Sequence, residues 1–334
     1  MAEKPDALLK VRDLKTYFFT KAGTVKAVDG VSFEVRRGEV RGIVGESGCG
    51  KSITSLSILQ LIDKPGRIVS GEIIFDGSNL LEKSRSAMAQ LRGKRISMIF
   101  QEPRSSLNPV FKIGNQLVEV LRIHEGLNRL VGRERASKLL AQVGIPSPDE
   151  RLDNFPHEMS GGMAQRVMIA MGLACAPDLL IADEPTTALD VTIQAQVLDL
   201  LRHLRDEMDV AIILITHDMG VVAEMADHIT VMYAGTAVEE ASTEELFEHP
   251  LHPYTQGLIA SIPIMGNRKN TLEVIPGTVP SLIDMPVGCR FADRCKARIE
   301  FELEKCTVEE PPILEPLPGH GVRCWIYEDG MPDA

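Results

Sequence analysis

Residues Gly45–Ser52 read GESGCGKS and fit the pattern G-x-x-x-x-G-K-[ST]. The apolar run GEVRGIVG leads into them as a buried strand, and SITSLSILQLI leaves as a helix. A strand, a glycine turn and a helix in that order commit the chain to a layered α/β fold, because the turn only works where a sheet edge meets a helix N-terminus. The chemistry follows from the backbone. Gly45, Ser47, Gly48, Cys49 and Gly50 can wrap their N–H groups around anionic oxygens, and the helix that opens through Ile53 adds a favourable dipole. Lys51 would reach the β- and γ-phosphates of a nucleotide, and the Ser52 hydroxyl would ligate Mg²⁺. The alternative, a chance glycine turn, is disfavoured by the flanking strand and helix. Of Cys49 only the backbone is required.

Four further apolar runs read as strands: ISMIF at 96–100, LLIAD at 179–183, AIILIT at 211–216 and ITVMY at 229–233. Helical patterns lie between them, which predicts a mostly parallel sheet with covering helices. Alternation in LLKVRDLKTYFF and VSFEVRRGEV predicts antiparallel strands before the glycine turn. Arg41 has no evident place in its strand. From about 103 to 158 there is no strand candidate, only KIGNQLVEVLRI and RERASKLLAQV with apolar residues at three- and four-residue spacing. This predicts an inserted helical lobe over about 103–175. Ser242 and Glu245 in STEELF form a capping-box signature. Beyond Pro276 the sequence is proline-rich and aperiodic, and a domain boundary is expected near residue 241. The organisation is then a mixed-sheet domain at 1–241 and a small loop-rich domain at 242–334.

The bulk numbers narrow the function. At 334 residues, 44% hydrophobic and 25% charged, the chain is globular and long enough for about two domains. A net charge of −11 argues against a nucleic-acid partner. The longest apolar run, VMIAMGLACA, is far short of the roughly 20 residues of a membrane span. MAEKPDALLK lacks the apolar core of a signal peptide, so a cytosolic chain with reduced cysteines is expected.

LLIADEP supplies a second chemical group. A strand ending in Asp183 puts a carboxylate at the sheet's carboxyl edge to hold Mg²⁺, and Glu184 follows as a general base for the attacking water. Around these come Gln101 after ISMIF, MSGGMAQR with Ser160, Gly161 and Gly162, Asp190 in ALD, and His217 in ITHD. The order and spacing of these words resemble an ABC-type ATPase over residues 6 to 260. The resemblance implies two such domains facing each other with ATP between them. Ser160 and Gly162 of one would touch the γ-phosphate held by Lys51 of the other, and Asp190 would pair across the dimer. It further implies Gln101 as a sensor of Mg²⁺ and water, His217 as a γ-phosphate partner, and Phe18, nine residues before Ala27, as the ring on adenine. Phe18 reads equally well as a strand-core aromatic, and His217 alone would be a satisfied core histidine.

The signature departs from the usual pattern at Met163 and Ala164, where glutamine normally follows SGG. SGGM, the run QRVMIAMGLACAPDLLIADEPTTALDVTIQAQVLDLL, HPLHPYT and PGTVPS are similar to the ATP-binding subunits of dipeptide and oligopeptide importers. That branch implies an ATPase peripheral to the cytoplasmic face of the inner membrane. Its partners would be two transmembrane permease subunits, a second ATPase subunit (a copy or a related chain) and an external peptide-binding protein. Permease helices would dock near Gln101 and EPRSSLNP. A soluble ATPase of translation or DNA repair, and an ATP-dependent binding switch, are the competing readings; the absence of a second ATPase half or long coiled-coil insert disfavours the first, and Glu184 with His217 the second.

Cys289, Cys295, Cys306 and Cys324 give C-x5-C-x10-C-x17-C in a loop-rich tail with little apolar sequence, which suggests a metal staple. The spacing matches neither zinc ribbons nor ferredoxins. The branch implies a four-cysteine iron–sulfur cluster of the [4Fe–4S] type, with zinc second and four buried thiols as the plain alternative. Cys175 reads as core.

Overall fold

The protein is described by a computed structural model covering residues 7–187, 190–262 and 275–331, without the side chain of Arg104. The N-terminal MAEKPD, and Ala188 and Leu189 of the ALD word, lie outside the described residues. Along the chain run β1 (Leu9–Thr20), β2 (Gly23–Val35), β3 (Val40–Val44), α1 (Lys51–Ile58), β4 (Gly66–Phe75), β5 (Ser78–Asn79), α2 (Arg85–Leu91) and β6 (Ile96–Ile99). Then follow α3 (Pro103–Ser106), α4 (Ile113–Glu125), α5 (Arg129–Gln142), α6 (Pro148–Arg151), α7 (Gly161–Leu173), β7 (Leu179–Asp183), α8 (Val191–Met208) and β8 (Ala211–Thr216). The remainder is α9 (Met219–Met225), β9 (His228–Tyr233), β10 (Thr236–Ser242), α10 (Thr243–Glu248), α11 (Pro253–Ala260), α12 (Lys296–Glu300), α13 (Lys305–Val308), β11 (Leu314–Leu317) and β12 (His320–Val322).

Residues 82–215, with 36–39, form one compact unit. Its strands β6, β7 and β8 are parallel, with Ile96 opposite Leu179 and Leu179 opposite Ala211. Every residue of β7 and β8 is buried, the pattern of parallel strands covered on both faces. The predicted helical lobe is present as α4, α5 and α7. Ile113, Leu117 and Leu121 make one buried stripe of α4 at four-residue spacing, and Asn128 caps α5 by accepting from the N–H groups of Leu130 and Val131. No residue of α7 is exposed, so it is the interior helix of the lobe.

Residues 7–35, 40–81, 216–262 and 275–331 group into the second unit. The N-terminal alternation forms the expected hairpin, with Leu9 opposite Val35 and Thr20 opposite Gly23, and β4 adds on the other side of β1. A second set runs β3–β9 parallel, then β9–β10–β12–β11 antiparallel. Arg41 now has its explanation: from β3 it reaches across β9, where Nη1 lies 3.4 Å from Thr230 Oγ1, to Glu240 on β10 at 2.6 Å. The strand that runs through the expected boundary at 241, β10, pairs with β12 of the tail, Glu239 opposite Val322. Ser242 caps α10 by accepting the Glu245 N–H at 3.2 Å, while the Glu245 carboxylate stands 3.3 Å from His249 Nδ1. Among the described residues no helix is long and apolar enough to cross a membrane.

The tail is tied to β10 by one buried carboxylate. Glu239, 1% exposed, accepts from the N–H groups of Leu251 (2.7 Å) and His252 (2.9 Å) and lies 2.7 Å from His320 Nε2. His252 in turn caps α11, its Nδ1 accepting the Tyr254 N–H at 3.0 Å. Burial pushes the His252 pKa down from 6.5 to about 4, against the pull of Glu239 and with a push from Arg323. The unfolded chain therefore takes a proton that the folded one refuses. Stability from this site is complete above about pH 6.5 and falls as pH drops towards 4, by up to about 3 kcal/mol. Urea unfolding between pH 7 and 4.5 should show that loss, and His252→Asn, which keeps a cap acceptor but cannot titrate, should flatten it. An equally steep loss in the variant would assign the pH dependence elsewhere.

Candidate nucleotide site

The glycine loop needs its glycines for two separate reasons. Gly45 has φ +152°, and a Cβ there would lie 2.1 Å from Met232 O; Gly50 has φ +104°, and its Cβ would lie 2.2 Å from Ala27 O. Gly48, at φ +80° with open space around it, is held to glycine by backbone conformation alone. Gly235 N–H donates to Cys49 O at 3.0 Å and so props the loop from the β9–β10 turn. Lys51 is only 4% exposed, and its Nζ donates to Gly45 O (2.7 Å) and Glu46 O (3.1 Å), which seats the ammonium inside the curve of the loop. Gly50 is the N-cap of α1 and offers no side-chain acceptor, so no side chain caps the first turn at Lys51, Ser52 and Ile53. Cys49 does more than lend its backbone. Its side chain is fully buried beneath the loop, and burial raises its thiol pKa. Ser47 and Gly48 lie at the loop's exposed crest.

Phe18, half-buried on β1, packs its ring against Gly66 of β4, where a Cβ would meet Phe18 Cε1 at 2.6 Å. Its neighbour Phe19 is exposed and carries the Arg67 guanidinium 4.3 Å from its ring centroid.

In the other unit β7 ends in Asp183, 4% exposed, and the chain turns sharply at Glu184, which has φ +46° and is 8% exposed. A left-handed glutamate costs about 1 kcal/mol or more, and such strain gathers at functional sites. The Glu184 N–H donates to Ile215 O on β8 at 2.9 Å, and its Oε2 accepts from Gln101 Nε2 (2.9 Å) and Thr187 Oγ1 (2.8 Å). Gln101 and Glu184, read separately from the sequence, are thus joined by a hydrogen bond. Thr187 was not legible there: a threonine in PTTALD carries no pattern that separates it from its neighbour.

Ser160 is exposed and caps α7, its Oγ accepting the Met163 N–H at 3.3 Å. A Cβ at Gly161 would meet nothing within 4 Å, whereas one at Gly162 would lie 3.0 Å from Ile193 Cγ2 on α8. Asp190 caps α8 by accepting the Ile193 N–H at 3.0 Å, so it has a structural duty as well as an exposed carboxylate. His217 is exposed at the start of the β8–α9 turn, next to Asp218, which caps α9.

The tail thiols lie within electrostatic reach of one another, and Cys289 N–H donates to Cys306 O at 2.8 Å. Cys306 packs with Ala292 and Trp325, with Cys289 beside them, while Cys324 belongs with Leu251, Val322 and Tyr327. Burial pushes the Cys289 and Cys324 thiols up to about 12 and raises Cys295 and Cys306 too. Among the described residues no three His, Cys, Asp or Glu side chains stand in a metal-holding arrangement. The tail therefore shows the four-thiol neighbourhood expected from the spacing, but not a formed ligand set.

The model of the ABC transporter family matches residues 28–187, and that of the oligopeptide/dipeptide transporter C-terminal region matches 238–301. A probable peptide ABC transporter ATP-binding protein of Sinorhizobium fredii is 52% identical over 96% of each chain. The oligopeptide transport ATP-binding protein AppD of Bacillus subtilis is 49% identical over 96% of this chain and 97% of its own, and the dipeptide transport ATP-binding protein DppD of Escherichia coli 47% over 95% and 96%. Among solved structures, a dimeric ATP-binding cassette in a post-hydrolysis state bound to ADP and Pi matches with a TM-score of 0.64 at 25% identity, over 70% of this chain and 98% of its own. With the glycine loop, the Asp183–Glu184 turn and the cysteine-bearing tail all in place, the chain belongs to the ABC transporter ATPases, in the branch that carries the oligopeptide/dipeptide transporter C-terminal region.

Proposed function

We propose that this chain is the ATP-hydrolysing motor of a peptide import system, acting from the cytoplasmic face of the membrane with two transmembrane permease subunits, a second ATPase subunit and an external peptide-binding protein. The observation that carries the ATPase chemistry is the Gln101–Glu184 hydrogen bond at the end of a buried strand, in a chain that also holds a complete phosphate loop. The peptide comes from the names of the relatives and from the matched C-terminal region.

In this reading the loop amides from Gly45 to Ile53 and the Lys51 ammonium bind the phosphates, and the Phe18 ring covers adenine. Ser52, Asp183 and Gln101 would hold Mg²⁺, which would supply neutralising charge at the phosphates. Glu184 takes the proton of the attacking water, oriented by Gln101 and Thr187, and His217 holds the γ-phosphate side. Ser160, Gly161 and Gly162 of one subunit, at an exposed helix start, complete the site of its partner, with Asp190 across the same interface. Binding then closes the pair, and loss of the shared γ-phosphate reopens it. Val110 and Phe111, 71% and 51% exposed just beyond EPRSSLNP, fit the face that takes a permease helix. The match of separate family models to 28–187 and 238–301 supports a functional division near residue 241.

For the tail we propose that Cys289, Cys295, Cys306 and Cys324 would hold, as thiolates, a [4Fe–4S] cluster, with zinc as the second choice. One experiment tests both parts. The assembly, extracted from membranes without oxygen through a tag on this chain, should contain two integral membrane subunits and about four irons per copy, with broad absorbance near 400 nm. A chain recovered without membrane partners would sink the motor; colourless, iron-free protein would sink the cluster.

A further inference from the structure

The phosphate loop carries an acid where a bound nucleotide brings several negative charges. Glu46 is the second residue of the loop, and an unpaired carboxylate there would oppose the phosphates that Lys51 attracts. It is not left unpaired. Arg294, 248 positions beyond Glu46 in chain order and deep in the cysteine-bearing tail, donates from Nη1 to Glu46 Oε2 at 2.7 Å and from Nη2 to Oε1 at 2.9 Å. This is the two-pronged guanidinium–carboxylate fork, which fixes direction as well as charge.

The rest of Arg294 is equally constrained. Its Nε donates to Pro276 O at 2.7 Å, and Nη1 also reaches Tyr233 OH at 3.2 Å. The rings of Tyr233 and Phe291 flank the guanidinium at 5.6 and 5.8 Å. The main chain of Glu46 is held too, its N–H donating to Tyr254 OH on α11 at 2.8 Å. A second arginine grips the prop beneath the loop. Arg290 donates to Ala234 O at 2.7 Å and pairs with Asp29 at 2.5 Å, next to the Gly235 whose N–H supports Cys49 O. Both arginines adjoin tail cysteines, Arg290 following Cys289 and Arg294 preceding Cys295.

We propose that Arg294 is a positioning residue for nucleotide binding: it neutralises and aims Glu46, so that the cysteine-bearing tail sets the charge a nucleotide meets at the phosphate loop. The proposal rests on the loop's reading as the ATP site. It differs from simple docking of the tail, in which the ion pair only holds two surfaces together. Under docking, removing both charges is no better than removing one. Under charge control, removing Glu46 together with Arg294 repairs the loss.

The test is calorimetric titration of full-length protein with Mg·ATP and Mg·ADP. Arg294→Met should weaken both by about tenfold or more, with a smaller penalty at high salt. Arg294→Lys should recover part of the loss, because an ammonium restores charge without the fork. The double variant Glu46→Gln/Arg294→Met should return to within about threefold of the wild type. Wild-type affinity in Arg294→Met, or a double variant as weak as the single, overturns the proposal. Should Arg294→Met fail to fold, Glu46→Gln alone decides: it leaves the arginine charge uncompensated and should bind ATP at least as tightly as wild type, and weaker binding overturns the idea. Lys51→Ala separates the two readings. Unchanged ATP affinity there removes the ATP site itself, whereas a normal Lys51→Ala loss beside an indifferent Arg294→Met removes only the role of Arg294.

Discussion

Glu184→Gln is expected to lower the ATP hydrolysis rate by about 10²–10⁴-fold while leaving ATP affinity within about twofold of the wild type. The geometry explains why binding should survive. Glu184 Oε2 accepts two hydrogen bonds, from Gln101 Nε2 and Thr187 Oγ1, and a glutamine side-chain oxygen in the same place can accept both. The substitution conserves volume in a pocket where the residue is 8% exposed, and the left-handed backbone is no more strained for glutamine than for glutamate. What is lost is a group that can take a proton. Single-turnover phosphate release together with equilibrium ATP binding measures both quantities. Hydrolysis within threefold of the wild type would remove Glu184 as the base. Thr187→Val should act in the same direction but more weakly, since it takes one orienting hydrogen bond and leaves the carboxylate.

The parts of this fold that could be read in the sequence are those whose physics is local. β7 and β8 are continuous apolar runs because both faces are covered, and α4 and α5 show helical spacing because each buries one stripe. β4 escaped reading: most of GRIVSGEIIF is exposed or half-buried and its pairing with β1 shifts register twice, so neither alternation nor an apolar run survives. The tail strands β11 and β12, four and three residues long, are shorter than any periodicity can reveal. The site divides the same way. Its glycines, Lys51 and Asp183–Glu184 are words in the chain, whereas the residues that orient them arrive from a distance. Arg41 looked misplaced because Glu240, which pairs with it, lies 199 residues away, and nothing in GESGCGKS announces an arginine 248 residues later. Cysteine spacing stated that four thiols share a neighbourhood; it could not state their separations, which the backbone of a loop-rich tail sets.

Lys51→Ala should raise the dissociation constant for Mg·ATP by about a hundredfold, with little change in thermal stability. Both halves follow from where the ammonium sits. Nζ is anchored by Gly45 O at 2.7 Å and Glu46 O at 3.1 Å, so it is already aimed into the loop and loses little freedom on meeting phosphate. Removing it deletes the only side-chain cation among the eight loop residues and leaves Glu46 within the same turn. The loop itself does not depend on the lysine for its shape: Gly45 is pressed against Met232 O, Gly50 against Ala27 O, and Gly235 N–H holds Cys49 O. A variant that melts with the wild type yet binds ATP weakly is therefore the expected result. Lys51→Met, which restores most of the buried stem without the charge, should bind no better, because the loss is electrostatic rather than a matter of packing. Titration of ATP alongside thermal melts of both variants checks this. Normal affinity in either one would contradict the reading of Gly45–Ser52 as the ATP site.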